Sequence, residues 1–147
     1  YGDINVESLN AQKTVIQSED GDITISDSTF NNLELSADLG DLKIKDTTFT
    51  NSQFEMMDGD VKAENVTFNE KNEFTSDLGD ITLSIPKKTL STLSIEAEAS
   101  EINIPEELGN VMTDEDDNQL VSSENKTQNS LQIKNKDGDI KITAYKK

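Results

Sequence analysis

Cysteine, histidine, arginine and tryptophan are all missing from the 147 residues, and proline occurs only twice. Each absence removes a class of chemistry. Without cysteine there is no disulfide framework, no zinc-thiolate site and no thiol nucleophile. Without histidine the commonest general base and transition-metal ligand is gone. Without arginine there is no bidentate clamp for phosphate or carboxylate. Hydrophobic residues make up only 32% of the chain. Apolar runs extend over a few residues at most, so none is long enough to span a bilayer as a helix.

What is present is mostly acid. Thirty Asp and Glu face 13 basic residues, all of them lysine, for a formal net charge of −17. Such a charge repels nucleic acid and anionic lipid surfaces. Low hydrophobicity with high net charge is the composition of disordered chains, so periodicity has to decide whether this one folds.

It is periodic. Gly-Asp followed by an aliphatic residue recurs at Gly2, Gly21, Gly40, Gly59, Gly79 and Gly138. The glycine spacings are 19, 19, 19, 20 and 59. The last gap is close to three periods, with Ser100-Glu101-Ile102 fitting one missing start and a degenerate one near Gln119. Two residues after each glycine stands an aliphatic side chain (Ile4, Ile23, Leu42, Val61, Ile81, Ile102, Ile140), and four after it another (Val6, Ile25, Ile44, Ala63, Leu83, Ile104, Ile142). This period-2 alternation marks a strand with one buried face. Nine after the glycine come Phe30, Phe49 and Phe68; fourteen after it come Ile16, Leu35, Phe54, Leu93 and Ile133, with Phe74 joining if the 20-residue repeat carries an insertion.

The pattern predicts an all-β fold, a right-handed parallel β-solenoid of the β-helix or β-roll kind. It would have about seven to eight coils of roughly 19 residues, two short strands each, every strand pairing with its counterpart one coil further on. Asp27, Asp46 and Asn65 would turn the chain between the strands, and the Gly-Asp corner would turn it back. Residues 1–147 are read as one solenoid domain: regular coils over 1–104, irregular coils or an excursion such as a hairpin over 105–130, and final strands over 131–145. Neighbouring coils cover each other's inward side chains, so few apolar residues per coil suffice.

The repeated (D/S)-x-Gly-Asp-Ile-x-Ile unit, with its proline-marked irregular stretch and closing Gly138-Asp139-Ile140, resembles the bacterial "putative adhesin" family of GDI- and GSI-repeat domains of unknown function. The resemblance covers essentially the whole chain. It implies a β-solenoid at the bacterial envelope, extracytoplasmic and held by an anchor outside this sequence, in some cases tied to envelope stress. It offers no catalytic residues to carry over.

The residues themselves offer three candidate surfaces. The first is the corner acids. Asp3, Asp22, Asp41, Asp60, Asp80 and Asp139 follow the glycines; Asp20, Asp58 and Asp137 precede them directly, and Asp38 and Asp77 lie two before. Stacked carboxylates repel by about 1 kcal/mol per pair in water. The favoured reading is turn capping, with aspartate accepting nearby backbone N–H groups and Lys43, Lys62 and Lys141 neutralising Asp41, Asp60 and Asp139. The alternative is a calcium-stabilised β-roll using Asp20, Asp22, Asp38, Asp41, Asp58, Asp60, Asp77 and Asp80 as ligands. One glycine per repeat is fewer than the nonapeptide calcium motif needs, and calcium wants six to eight oxygens. The second surface is the phenylalanine column, a sugar-stacking platform or an internal aromatic ladder; the ladder is favoured because large aromatics at one register belong to a core. The third is the Thr29, Thr48, Thr67 column, too short and too flanked by Lys45 and Asp46 for a flat ice-binding array.

The acidic run 114–117 reads as a solvated loop. A carbohydrate-active β-helix would need two carboxylates set in a cleft, and no pair stands out. The sequence thus implies no enzyme, no cofactor and no catalytic residue. It implies instead a scaffold or adhesin-like module for an unidentified envelope, protein or glycan ligand, cut from a longer chain whose missing part would hold a membrane anchor.

Overall fold

The computed structural model describes residues 2–86, 92–99, 101–124 and 129–145. Tyr1, Ser100, the sequon at 125–127 and the terminal Lys146 and Lys147 lie outside the described residues. In chain order the strands are β1 (Ile4–Glu7), β2 (Asn10–Ala11), β3 (Thr14–Asp20), β4 (Ile23–Ser26), β5 (Thr29–Asn31), β6 (Leu33–Leu39), β7 (Leu42–Thr50), β8 (Gln53–Asp58) and β9 (Val61–Asn69). There follow β10 (Lys71–Leu78), β11 (Ile81–Pro86), β12 (Thr92–Ala99), β13 (Ile102–Asn103), β14 (Val111–Thr113), β15 (Gln119–Glu124), β16 (Ser130–Asp137) and β17 (Ile140–Tyr145). One 3-10 turn, Glu106–Leu108, sits between β13 and β14.

The chain is an all-β solenoid of two sheets. One runs β1-β4-β7-β9-β11-β17-β13, with β2 and β5 continuing beside β7; the other runs β14-β15-β12-β16-β10-β8-β6-β3. Described neighbours pair in parallel, apart from β12 with β15 and β14 with β15, which are antiparallel. Register follows the repeat: Ile23 lies opposite Leu42, Leu42 opposite Val61, and Val61 opposite Ile81. The columns two and four residues beyond the glycines point inward and are buried from Ile23 onward, apart from the partly buried Ile104.

Between the sheets the five phenylalanines form one cluster. Phe30, Phe49 and Phe68 stack with centroids 5.7 and 6.0 Å apart. Phe54 and Phe74 stack at 4.1 Å. The two stacks meet edge to face, Phe49 against Phe54 and Phe68 against Phe74. All five are at most 1% exposed, so the column is an internal ladder. Offset and T-shaped contacts contribute about 0.5–1.5 kcal/mol per pair beyond area burial. The 20-residue repeat takes its extra residue at a corner: Asn69 keeps the 19-residue offset to Thr50, while Glu73 is 20 beyond its partner Gln53. Buried Asn72 stitches that corner, accepting from the Ser52 N–H and donating to the Asn69 carbonyl.

Three features depart from the sequence expectation. First, the coils do not stack in chain order. β16 lies between β10 and β12, and β17 between β11 and β13. The last Gly-Asp-Ile unit therefore sits directly on the Gly79 unit, Ile140 opposite Ile81. Gln119 is no coil start but the beginning of an antiparallel strand. Identical register lets any Gly-Asp-Ile unit fit any other, so the 59-residue gap measured chain length and not spatial distance. Second, Leu93 sits beside Leu131, and Ile95 takes the place beside Ile133 and, through it, Phe74. The path from Ile81 to Ile95 takes 14 residues against 12 from Leu42 to Phe54, which shifts the column. Third, three of the coils have another corner. Asn32, Asn51 and Glu70 adopt φ of 59, 51 and 60°, in addition to the bend at Ser8, Asp27, Asp46 and Asn65. Asparagine and aspartate tolerate the left-handed region better than other side chains, and the 19-residue recurrence of Asn32 and Asn51 was the available signal.

The glycines of the Gly-Asp corner meet two demands at once. Gly79 has φ of 122°, and a Cβ there would collide with the Gly59 carbonyl oxygen of the coil below. We predict that Gly79→Ala lowers stability by about 3 kcal/mol or more, since strain and overpacking act together. Asp27→Gly, at a bend with φ of 47°, should change it by less than about 1 kcal/mol. Urea unfolding followed by circular dichroism measures both; equal losses would show that the corner is not sterically special.

Candidate functional site

The corner acids form a ladder along the stacking axis. The Asp22 N–H donates to Asp3 Oδ1 at 2.9 Å, Asp41 to Asp22 at 2.8 Å, Asp60 to Asp41 at 2.9 Å and Asp80 to Asp60 at 2.9 Å. The ladder continues through the inserted unit: Asp139 N–H donates to Asp80 Oδ1 at 2.8 Å, and Glu101 N–H to Asp139 Oδ1 at 3.0 Å. Glu101 thus takes the aspartate's place in the last rung. The capping is between coils and not within the turn, as the sequence reading had it. The reason is geometric. The positive φ of the preceding glycine and the in-register stack bring each aspartate's N–H over the carboxylate of the coil below. Charge-assisted hydrogen bonds of this kind are about twice as strong as neutral ones. They offset the repulsion of stacked carboxylates, which was expected to fall to lysines. Lys62 instead lies 3.5 Å from Glu64 Oε1, and Lys136 lies 3.0 Å from Asp77 Oδ1.

Most of the acids that precede the glycines are kept apart, although register places Asp38 beside Glu19 of the first coil. Register places Asp20 beside Leu39, Leu39 beside Asp58, Asp58 beside Leu78 and Leu78 beside Asp137. In the adjoining column Met57 follows Asp38 and precedes Asp77 by the same alignment. Leu39, Leu78 and Met57 are about half exposed, which looks wasteful for apolar side chains. They act as spacers that hold like charges two rungs apart, about 9.6 Å where direct neighbours would be about 4.8 Å. Among the described residues no group of three or more Asp or Glu is placed to hold a metal ion. Of the calcium candidates, Asp22, Asp41, Asp60 and Asp80 each commit Oδ1 to the ladder, while Asp20, Asp38, Asp58 and Asp77 are divided by the spacers.

The acidic run closes a tight turn. Asp114 Oδ1 accepts the N–H groups of Asp116 and Asn118, both at 2.9 Å, and Asp114 Oδ2 accepts Asn118 Nδ2. Hydrogen bonds from the Asn118 side chain, then from its backbone, hold the Asp114 carboxyl below the usual range.

Both outward faces mix acids with lysines: the β3-β16 side carries Lys134 and Lys136 as well as acids, and the β1-β17 side carries the corner aspartates, Glu7 and Glu64 as well as lysines. On the β3-β16 side the exposed columns carry Glu34, Glu55, Glu96, Asp38 and Glu98. On the β1-β17 side, register lines up Asn5, Thr24, Lys43, Lys62, Thr82, Lys141 and Asn103 with no acid among them. Two open depressions lie over that side, about 330 Å³ by Lys43, Lys45 and Lys62 and about 420 Å³ by Lys62, Thr82 and Tyr145. Lys62 and Glu64 border both. The Tyr145 hydroxyl donates to Asn65 Oδ1, and Asn65 Nδ2 donates to Asp46 Oδ1. Burial, then the charge of Asp46, raises the Tyr145 phenol above its ordinary value, so the hydroxyl keeps its proton near neutral pH. Sequence reasoning missed Tyr145, which lies at the end of β17 and outside the repeat columns. Other depressions occur at the first coil, about 730 Å³ beside Asp3, Glu19 and Asp38, and under the 114–118 turn, about 420 Å³ beside Glu96, Lys134 and Asn118.

A family model described as Toastrack DUF4097 matches residues 1–143. The chain belongs to the Toastrack DUF4097 family. A crystal structure of a "putative cell adhesion protein" from Clostridium sporogenes is similar over 98% of this chain and 92% of that one, at 12% identity. Its TM-score of 0.33 is too low to carry an argument. No curated protein matches.

For this Toastrack chain the ladder makes a sharp prediction. Asp60→Ala deletes the acceptor for the Asp80 N–H and should cost about 1–2 kcal/mol in urea unfolding. Asp60→Asn keeps an acceptor and removes a stacked charge, so it should cost clearly less. The calcium alternative predicts that EDTA lowers the melting temperature and calcium raises it. We expect the same midpoint in both, because the ladder is satisfied by main-chain donors.

Proposed function

We propose that the chain is a non-catalytic binding module of a bacterial cell envelope, with an adhesin-like or scaffolding role outside the cytoplasm and an anchor in a segment beyond this sequence. We take the coil as right-handed, as crossovers between parallel strands are, and as having about seven to eight turns by the repeat count. The observation that carries the reading is the surface itself. Main-chain hydrogen bonding is spent on stacking, which leaves two extended faces of side chains repeated at strand spacing. Such faces suit contact with long or repetitive partners. Membership of the Toastrack family is compatible with this reading.

The test is retention. Beads coated with the folded chain should sediment with purified bacterial cell-wall sacculi, and beads carrying the urea-unfolded chain should not. Incubation with the same sacculi should release no new reducing ends. Absence of retention would remove the adhesive role, and steady release of reducing ends would replace it with an enzyme.

A further inference from the structure

Among the described residues six polar side chains are buried in the core: Ser28, Thr47, Ser52, Asn72, Ser76 and Asn135. Four of them are answered by the protein itself. The hydroxyls of Ser28, Thr47 and Ser52 each donate to the carbonyl two residues earlier, on Ser26, Lys45 and Thr50. Asn72 is bonded through both its oxygen and its nitrogen. Ser76 Oγ and Asn135 Oδ1 are the two buried side-chain atoms left, among the described residues, with no hydrogen-bond partner. Register puts them side by side: Ser76 on β10 lies opposite Asn135 on β16. The two residues are 1% and 2% exposed. Unanswered polar atoms in a core need an explanation, and their adjacency points to one shared ligand.

Turning the Asn135 amide does not relieve them. Its Nδ2 donates to the Gly138 carbonyl at 2.8 Å and to the Gly79 carbonyl at 3.1 Å, so a flip would set Oδ1 against two carbonyl oxygens. The column around the pair is apolar. Met56 lies on the far side of Ser76, and Ala97 on the far side of Asn135. Two neutral oxygens are too few for calcium, which wants six to eight. A water molecule both donates and accepts, so it answers both atoms.

We infer that Ser76 and Asn135 hold one buried water, which accepts from the Ser76 hydroxyl, donates to Asn135 Oδ1 and ties the inserted final unit to the coil beneath it. Its space comes from the short side chains of Ser76 and Ala97, in a column that holds Met56 one coil lower. Stacked in chain order, Ala97 would stand between Ser76 and Asn135, and both polar groups would face its methyl. Insertion of β16 is what makes them neighbours. The contact therefore marks the Gly79 coil among units that otherwise share one register. Buried polar groups fix register in this way when every member is bonded.

The test joins diffraction from crystals of the folded chain, at a resolution that shows ordered water, to a double-mutant cycle in urea. Density within hydrogen-bond distance of both Ser76 Oγ and Asn135 Oδ1 is expected. An empty site overturns the inference, as does a Ser76 hydroxyl bonded directly to Asn135 Oδ1. Ser76→Ala removes the donor to the water and should raise the unfolding equilibrium constant about fivefold. In the Asn135→Ala background the same change should raise it less than about twofold, because the partner across the water is gone. Equal losses in the two backgrounds overturn the tie. Diffraction from the parent chain decides the water even where Asn135→Ala fails to fold, and unaltered stability of Ser76→Ala then overturns the tie.

Discussion

The structure depends on a column of glycines stacked with no room for a methyl group. From Gly21 to Gly138, a Cβ at each stacked glycine would run into the carbonyl of the glycine beneath it. Close approach at this corner fixes the register of both sheets, because each Gly-Asp step hands the chain from one sheet to the other. A one-residue slip would turn every inward side chain outward. Apolar residues are scarce, so the chain can bury them efficiently only if every coil repeats the same inward positions. The glycine column enforces that repetition, and the aspartate ladder fastens it with hydrogen bonds at 2.8–3.0 Å.

In-register stacking has a cost that the sequence meets in three ways. Identical side chains meet identical side chains, which favours phenylalanine on phenylalanine but penalises acid on acid. At the corner itself, main-chain N–H groups answer each carboxylate. Just before the corner, Leu39, Met57 and Leu78 interrupt the acids. In the next coil Lys136 pairs with Asp77. These devices account for three exposed apolar residues that would otherwise look like interaction sites. On the other face the lysine column runs between the corner aspartates and the column of Glu7 and Glu64, with Lys62 3.5 Å from Glu64 Oε1.

Much of this was legible in the sequence. Glycine spacing, the two aliphatic columns and the phenylalanine column identify strands, their inward faces and their mutual register, because each is a direct consequence of period and side-chain chemistry. The order of the coils was not legible. Ile140 fits Ile81 as well as it would fit any other unit, so register similarity cannot tell neighbours from distant equivalents. Nor was the direction of the aspartate hydrogen bonds. A turn aspartate ordinarily caps its own turn, and only the stack shows that the nearest donor belongs to the next coil. The Tyr145–Asn65 contact joins residues from different repeat positions, so no periodic reading reaches it.

Insertion of the final unit changes what kind of array this is. A serial solenoid stacks each repeat on its sequence neighbours and ends in an edge that frays or recruits another strand. Here β16 and β17 are covered on both sides, by β10 and β11 below and by β12 and β13 above. The coil beyond them ends in the antiparallel β12-β15-β14 arrangement. Leu108 is buried there within the 3-10 turn, and Gln119 Oε1 accepts the Ile102 N–H. The last described strands of the chain are therefore interior, and the segment that looked irregular in sequence serves as the cap. Its lack of periodicity follows from that position: a cap has a neighbour on one side only, and a repeating pattern would present a further coil with an open edge.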